Sequence, residues 1–263
     1  MTRLQSAMSA AGLLLACAQL ARGQSATALS NPQSELSVAI GVSRSARRDL
    51  SASPLNFAGR GGDASLKYER RLGAFSAQVA LDGSARTLVS SSSAAQAQER
   101  LDEGAVAFVL LRELGGQGAS SAAEGFALGA SADATISVAA HGYNDPTQRT
   151  SDFVLDLVSI GPATRWRHAL LGGVTAVQLT APLVATVEHS YSVVNEQNIA
   201  AQRRIVSIGT LRAMNGVASY ETASSHRLGL LYVYRVHLLR YDDVRPVRAV
   251  SQSLSVGVVA RTR

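Results

Sequence analysis

Along much of the chain, apolar residues alternate one by one with polar or small ones. In 36–43, Leu36, Val38, Ile40 and Val42 share one side, and Ser37, Ala39, Gly41 and Ser43 share the other. In 64–69, Ala64, Leu66 and Tyr68 oppose Ser65, Lys67 and Glu69. From Phe75 to Asp82 the set Phe75, Ala77, Val79 and Leu81 opposes Ser76, Gln78, Ala80 and Asp82. The longest run sets Phe126, Leu128, Ala130, Ala132, Ala134, Ile136 and Val138 against Ala127, Gly129, Ser131, Asp133, Thr135, Ser137 and Ala139. A period of two places such sets on opposite faces of a β-strand. The same reading covers 152–168, 174–188, 204–221, 226–241 and 250–262, and more weakly 104–113, where a short helix over 105–114 fits as well. The pattern thus predicts about ten strands, within a range of eight to twelve. Many reach the roughly 9 to 11 residues with which a tilted strand crosses a bilayer. Strands of soluble proteins usually stop at about five or six.

The connections point the same way. Barrels of the outer membrane have short periplasmic turns and longer external loops, so connection lengths should alternate. Here 44–62 is long, 71–74 tight, 84–103 long, 169–173 tight, 188–203 long and 222–225 tight, with 114–124 breaking the order. The remaining connections hold Asn144-Asp145-Pro146 and Asp242-Asp243-Val244-Arg245-Pro246. Pro162 and Pro182 fall inside predicted strands, where each removes a ladder donor. A hairpin turning near Gly172 sets them almost opposite one another, so one shared bulge accommodates both. The competing reading makes them edge strands of a soluble sandwich. Of thirteen aromatic residues, Tyr68, Phe75, Trp166 and Tyr220 fall near predicted periplasmic ends and Tyr143, Phe153, Tyr191 and Tyr241 near outer ends, as interfacial girdles require.

Residues 1–23 read as a cleaved signal peptide: Arg3 precedes a short apolar run around Leu13, Leu14 and Leu15, and Ala21-Arg22-Gly23 offers a small-x-small cleavage site. Residues 24–263 then form the barrel domain. A second reading makes Leu14-Leu15-Ala16-Cys17 a lipobox acylated at Cys17, although Leu15 stands where a small residue is usual. No later window approaches the roughly 20 apolar residues of a membrane helix. The composition fits: 263 residues, 46% hydrophobic, 17% charged and 5% aromatic. Removing the signal removes Arg3, Arg22 and the single Cys, which takes the net charge from +6 to +4. A lone Cys excludes a disulfide scaffold and any multi-thiolate metal site. Lys67 is the only Lys among 25 basic residues, and the Arg residues are scattered, unlike the clustered basic surface of a nucleic-acid binder.

Together, the export signal, long alternating strands and connections resemble bacterial outer-membrane β-barrel proteins over nearly all of 34–263. Local wording is similar to a loosely defined set of such barrels: Ser159-Ile160-Gly161-Pro162 leading to Arg165-Trp166-Arg167-His168, then Ala181-Pro182-Leu183 before Tyr191, then Arg245-Pro246-Val247. The resemblance implies an all-β, closed antiparallel transmembrane barrel, partnered by outer-membrane lipid and the barrel assembly machinery. It also implies a terminal Phe or Trp as assembly signal, from which this chain departs by ending Arg261-Thr262-Arg263.

If the apolar sets face lipid, the lumen receives Lys67, Glu69, Gln78, Asp82, Asp133, Asp156, Arg235 and His237. In a barrel only slightly wider than the filled eight-stranded kind, opposite charges pair and plug the lumen more readily than they line a channel. Near the outer ends lie Arg44, Arg47, Arg48, Arg203, Arg204, Arg240, Arg245 and Arg248. Of these, Arg203, Arg204, Arg240 and Arg245 are candidate contacts to lipopolysaccharide phosphates, because a guanidinium fork suits phosphate; pairing with Asp242 and Asp243 is the simpler alternative. His141, His168, His189, His226 and His237 show no nucleophile or acidic partner at a telling spacing. HExxH, GxSxG and P-loop patterns are absent from the sequence.

No cofactor, metal site or nucleic-acid partner is expected. The chain reads as an outer-membrane barrel with a structural, binding or small-solute pore role. Alternatives are an exported periplasmic β-sandwich or lipoprotein that binds a ligand or partner, and an outer-membrane hydrolase. Recovery in the outer-membrane fraction with heat-modifiable gel mobility is the expected outcome. A fully soluble periplasmic product would end the barrel reading.

Overall fold

The computed structural model describes residues 34–49, 55–91, 97–114, 125–142, 151–170, 173–193, 199–222, 228–242 and 246–262. The segment 1–23 expected to be a signal, including Cys17, lies outside these residues, as do Tyr143, His226, Asp243 and Arg245; so do the side chains of Tyr191 and its neighbours to 202.

The strands are β1 (Ser34–Asp49), β2 (Asn56–Leu72), β3 (Phe75–Ser90), β4 (Gln98–Glu113), β5 (Gly125–Gly142), β6 (Ser151–Leu170), β7 (Gly173–Thr180), β8 (Val184–Val193), β9 (Ile199–Ser207), β10 (Leu211–Thr222), β11 (Leu228–Tyr241) and β12 (Val247–Thr262). All pairings are antiparallel, and β1 pairs with β12 along its whole length, from Ser34 opposite Thr262 to Asp49 opposite Val247. That pairing closes the sheet. β7 and β8 lie end to end against β6, and β10 and β9 continue the ring beside them. Twelve segments therefore occupy ten positions of a closed barrel. The stretch 104–113 is strand rather than helix.

The interruption has a chemical cause. Ala163 pairs with Thr180 but Ile160 with Val184, so one extra residue is accommodated on the β7/β8 side around Pro182. Two hydrogen bonds bracket it: Ala181 N donates to Pro162 O at 3.3 Å and Leu183 N to Ile160 O at 2.9 Å. Both prolines thus share one irregularity, as their spacing predicts. At the same height the next position in the ring carries a turn, in which Thr210 N donates to Ser207 O at 2.9 Å. Gly161 faces this gap, where an added Cβ would stand 1.9 Å from Ala181 O. At the other end, the two-residue turn Gly73-Ala74 uses a positive φ of 62° that glycine adopts without strain.

Alternation decides which side of the wall each residue faces. Leu36, Val38, Ile40 and Val42 point outward, Ile40 and Val42 being 69% and 68% exposed, while Ser37, Ala39 and Ser43 are buried inside. Leu128, Ile136, Leu230, Leu254 and Val256 extend the outward apolar belt around the ring. A hydrocarbon-facing belt on a closed sheet is the arrangement a bilayer demands, because every backbone group inside it must be paired. The end that carries the tight turn at 73–74, the two-residue connection from β6 to β7, the start of β1 and the end of β12 is the periplasmic one. There Tyr68, Phe75, Phe126 and Trp166 stand exposed on the wall. The outer end differs from expectation: Phe153 and Tyr241 turn into the lumen, at 0% and 5% exposure, and form no outer girdle. The connections expected over 44–62 and 84–103 are also mostly strand, because the ladder continues beyond the apolar belt with Arg44, Arg60 and Arg100 outward.

Replacing Gly161 by Ala drives a methyl into a backbone carbonyl, whereas Gly83→Ala meets nothing within 4 Å. Gly161→Ala is expected to lower the temperature at which gel mobility shifts from folded to unfolded, and Gly83→Ala to leave it unchanged.

Candidate functional site: the barrel lumen

The periplasmic part of the lumen is organised around Glu69 on β2, which is 1% exposed. Its carboxylate accepts from Arg165 Nη1 and Arg167 Nη2, each at 2.7 Å, and from Gln78 Nε2 at 3.1 Å. Lys67 Nζ lies 3.3 Å away. Arg165 also donates to Ser76 Oγ at 2.9 Å and to Glu113 Oε1 at 2.8 Å. Four strands are cross-linked by these contacts. The alternation of β6 places Arg165 and Arg167 inward with Trp166 outward between them. In the sequence these arginines stand out only as part of a local motif, and the signal of their inward direction is Arg-Trp-Arg at period two.

In the middle, Arg235 on β11 reaches Asp63 at 3.4 Å and Asp82 at 3.6 Å. It also donates to Ser65 Oγ at 2.6 Å, while Ser255 Oγ donates to Asp63 at 2.7 Å. Arg86 pairs with Glu103 and donates to Ser43 Oγ at 3.0 Å; Ser137 Oγ donates to Glu103 at 3.1 Å. A cavity of about 910 Å³ lies between these groups, with Lys67, Asp82, Asp133, Arg235 and His237 in its wall.

The outer part is apolar. Phe57, Leu88, Leu101, Phe153, Leu155, Val187, Leu239, Tyr241 and Val247 form one buried cluster inside the ring. Embedded in it, Arg47 stands between Asp49 and Glu99, at 3.4 and 3.5 Å. His141 Nε2 lies 3.0 Å from Glu99 and His189 Nε2 3.6 Å from Asp49, both outside hydrogen-bond alignment. Phe57 meets the His141 ring edge-on at 5.2 Å, Phe153 meets His189 at 4.2 Å, and the Arg47 guanidinium lies 4.5 Å from the Phe153 centroid. These His–carboxylate pairs join β1, β4, β5 and β8, a proximity that linear spacing does not reveal.

Lys67, Glu69, Gln78, Asp82, Asp133, Arg235 and His237 all face the interior. Asp156 does not. It lies opposite the outward Ile136 on β5 and opposite Glu188 on β8, whereas Phe153, Leu155 and Leu157 are the buried set of this strand. The expectation fails because it sends the apolar set to lipid, and near the outer end of β6 the apolar set fills the lumen. On the outside, Arg203 is exposed and pairs with Glu188 at 2.8 Å, Arg240 pairs with Asp242 and Arg204 is exposed.

No protein-family model and no curated protein matches the sequence. Among solved structures, the chain is similar to the outer membrane protease OmpT from Escherichia coli, with a TM-score of 0.59, 7% identity and coverage of 91% of this chain and 99% of that one. A second match is the translocator domain of the autotransporter NalP from Neisseria meningitidis, with a TM-score of 0.48, 8% identity and coverage of 97% and 96%. The fold is that of a bacterial outer-membrane β-barrel, and with its lipid-facing belt the protein is an integral protein of that membrane.

Removing one partner of a buried ion cluster strands the others in low dielectric. Glu69→Ala is therefore expected to lower unfolding stability by roughly 3–5 kcal/mol, read from denaturant midpoints. Arg203→Gln breaks a wall-side pair and should change stability by about 1 kcal/mol or less.

Proposed function

We propose that the protein is a non-conducting outer-membrane barrel whose lumen is a polar chamber, shut toward the exterior and reached from the periplasmic end. The apolar cluster around Phe57, Leu101, Phe153 and Tyr241 carries this reading. Dry, close-packed side chains across the ring give a hydrated ion no path, and the buried Arg47 group ties the plug to four strands. The chamber below, of about 910 Å³, presents both signs of charge. Such a wall suits a small solute that carries a cation and an anion together better than a simple ion. A structural role for the barrel, with only water in the chamber, is the simplest form of the same reading.

A hydrolase is the second reading, favoured by the two His–carboxylate pairs at the outer end and by the likeness in fold to a protein named as a protease. The pairs are buried under Phe57 and Phe153, which leaves no seat for a substrate bond beside them. We assign them to holding the plug. Purified barrel is accordingly expected to show no peptide turnover; turnover that disappears in His141→Ala or His189→Ala would reverse that assignment.

In planar bilayers the wild-type protein should give no resolved open-channel steps. The double variant Phe57→Ala/Phe153→Ala removes two plug rings, each worth about 3–5 kcal/mol in a packed core, and should both conduct and unfold more easily. Steady wild-type conductance would defeat the closed-chamber reading.

A further inference from the structure

We infer that the outer wall of β1, β12, β11 and β10 is a binding site for a phosphorylated lipid of the outer leaflet. Arg48 lies directly opposite Arg248, Arg248 opposite Arg240, and Arg240 opposite Arg212. All four are exposed on the outward face. Adjacent strands stand about 4.8 Å apart, so the row sets four guanidinium-bearing positions along roughly 15 Å of wall. Like charges directly opposite one another destabilise a strand pair, and here three such oppositions follow in succession. Asp242 serves Arg240. Among the described residues no carboxylate lies within ion-pair distance of Arg48, Arg212 or Arg248. The row is therefore short of anions, and forked guanidinium groups match phosphate oxygens in charge and geometry.

The wall next to the row supplies a second, independent observation. A recess of about 870 Å³ is bordered by the same four arginines and lined by Ala46, Ala58, Met214, Leu238 and Val250. Small side chains at Ala46 and Ala58 leave room on a wall that Val and Leu fill elsewhere. A free anion would use the row and leave the recess empty; a neutral lipid would use the recess and leave the row unneutralised. An acyl chain in the recess with its phosphate on the arginines satisfies both. Position along the wall agrees. Tyr232 and Tyr234 are exposed nearer the periplasmic end of β11, and the outward face of that strand ends at Arg240 near the exterior. Arginine thus stands at the external boundary, where an aromatic girdle was expected.

The test measures binding of the purified barrel to phosphatidylcholine vesicles carrying lipopolysaccharide, either intact or enzymatically dephosphorylated, together with the lipid phosphorus retained through mild-detergent purification. Intact lipid should bind roughly tenfold more tightly than dephosphorylated lipid, the equivalent of losing one charge-assisted contact. Arg48→Gln/Arg212→Gln/Arg248→Gln should lower retained phosphorus by at least about tenfold, while Arg100→Gln, an exposed arginine on β4 that pairs with Asp102, retains the wild-type amount. Equal binding of the two lipids, undiminished retention in the triple variant, or full displacement by inorganic phosphate alone would each overturn the inference. The comparison of intact and dephosphorylated lipid uses the wild-type protein only, so it decides the matter even if the triple variant does not assemble.

Discussion

A peptide group in hydrocarbon has no water to turn to, and each one left unpaired costs several kcal/mol. The rest of this structure depends on meeting that constraint. The β1–β12 pairing abolishes the sheet edge along sixteen residues of each strand, and the alternation of the sequence follows from it, since a closed wall has only an inside and an outside. The same constraint explains how two prolines are tolerated. Pro162 and Pro182 each lack an amide N–H to donate, and the register concentrates both losses at one height, where Ala181 and Leu183 restore what pairing they can. Spread over separate strands, the same residues would break the ladder twice.

Inside the ring the governing problem is charge in a space with little water. Arginine, nearly the only cation in the chain, solves it through geometry. One guanidinium reaches several acceptors in fixed directions, so Arg165 binds Glu69, Ser76 and Glu113 at once. Glu69 in turn is shared by two arginines. A lysine could match the charge but not the number of strands held together. Buried clusters of this kind contribute little net stability compared with an apolar filling. Here they wall a cavity that leucines would have filled, and the chain uses the apolar solution toward the exterior.

Strand number, ring closure and the shared proline gap were legible because each follows from local period two and from simple distances along the chain. The lumen was legible only where polar residues alternate with apolar ones, as at Lys67, Glu69 and Gln78. Near the outer end of β6 both faces are apolar: Val154 and Val158 alternate with Phe153, Leu155 and Leu157, and a single Asp156 misled the reading. Period two says that two faces exist; it does not say which one meets lipid when both are greasy. The Arg47 group and the arginine row were hidden for a different reason. Their members come from strands far apart in the chain: cross-strand register brings Arg48 to Arg248, and closure of the ring brings His189 to Asp49 across the lumen.

The gap at Pro182 and the turn at 208–210 also divide the ring mechanically. Elsewhere the ladder between neighbours runs without a break, whereas here it is cut into a lower run of eight pairs between β7 and β10 and a shorter, irregular run between β8 and β9. Among the described residues β9 has no partner on its other edge. Local opening follows the fewest cross-strand bonds, so amide exchange should begin at this seam and spread to the hairpin of β8 and β9 before it reaches β1 and β12. Because β8 stays held to β6 along ten pairs, the loosened part of the wall is the free edge of β9.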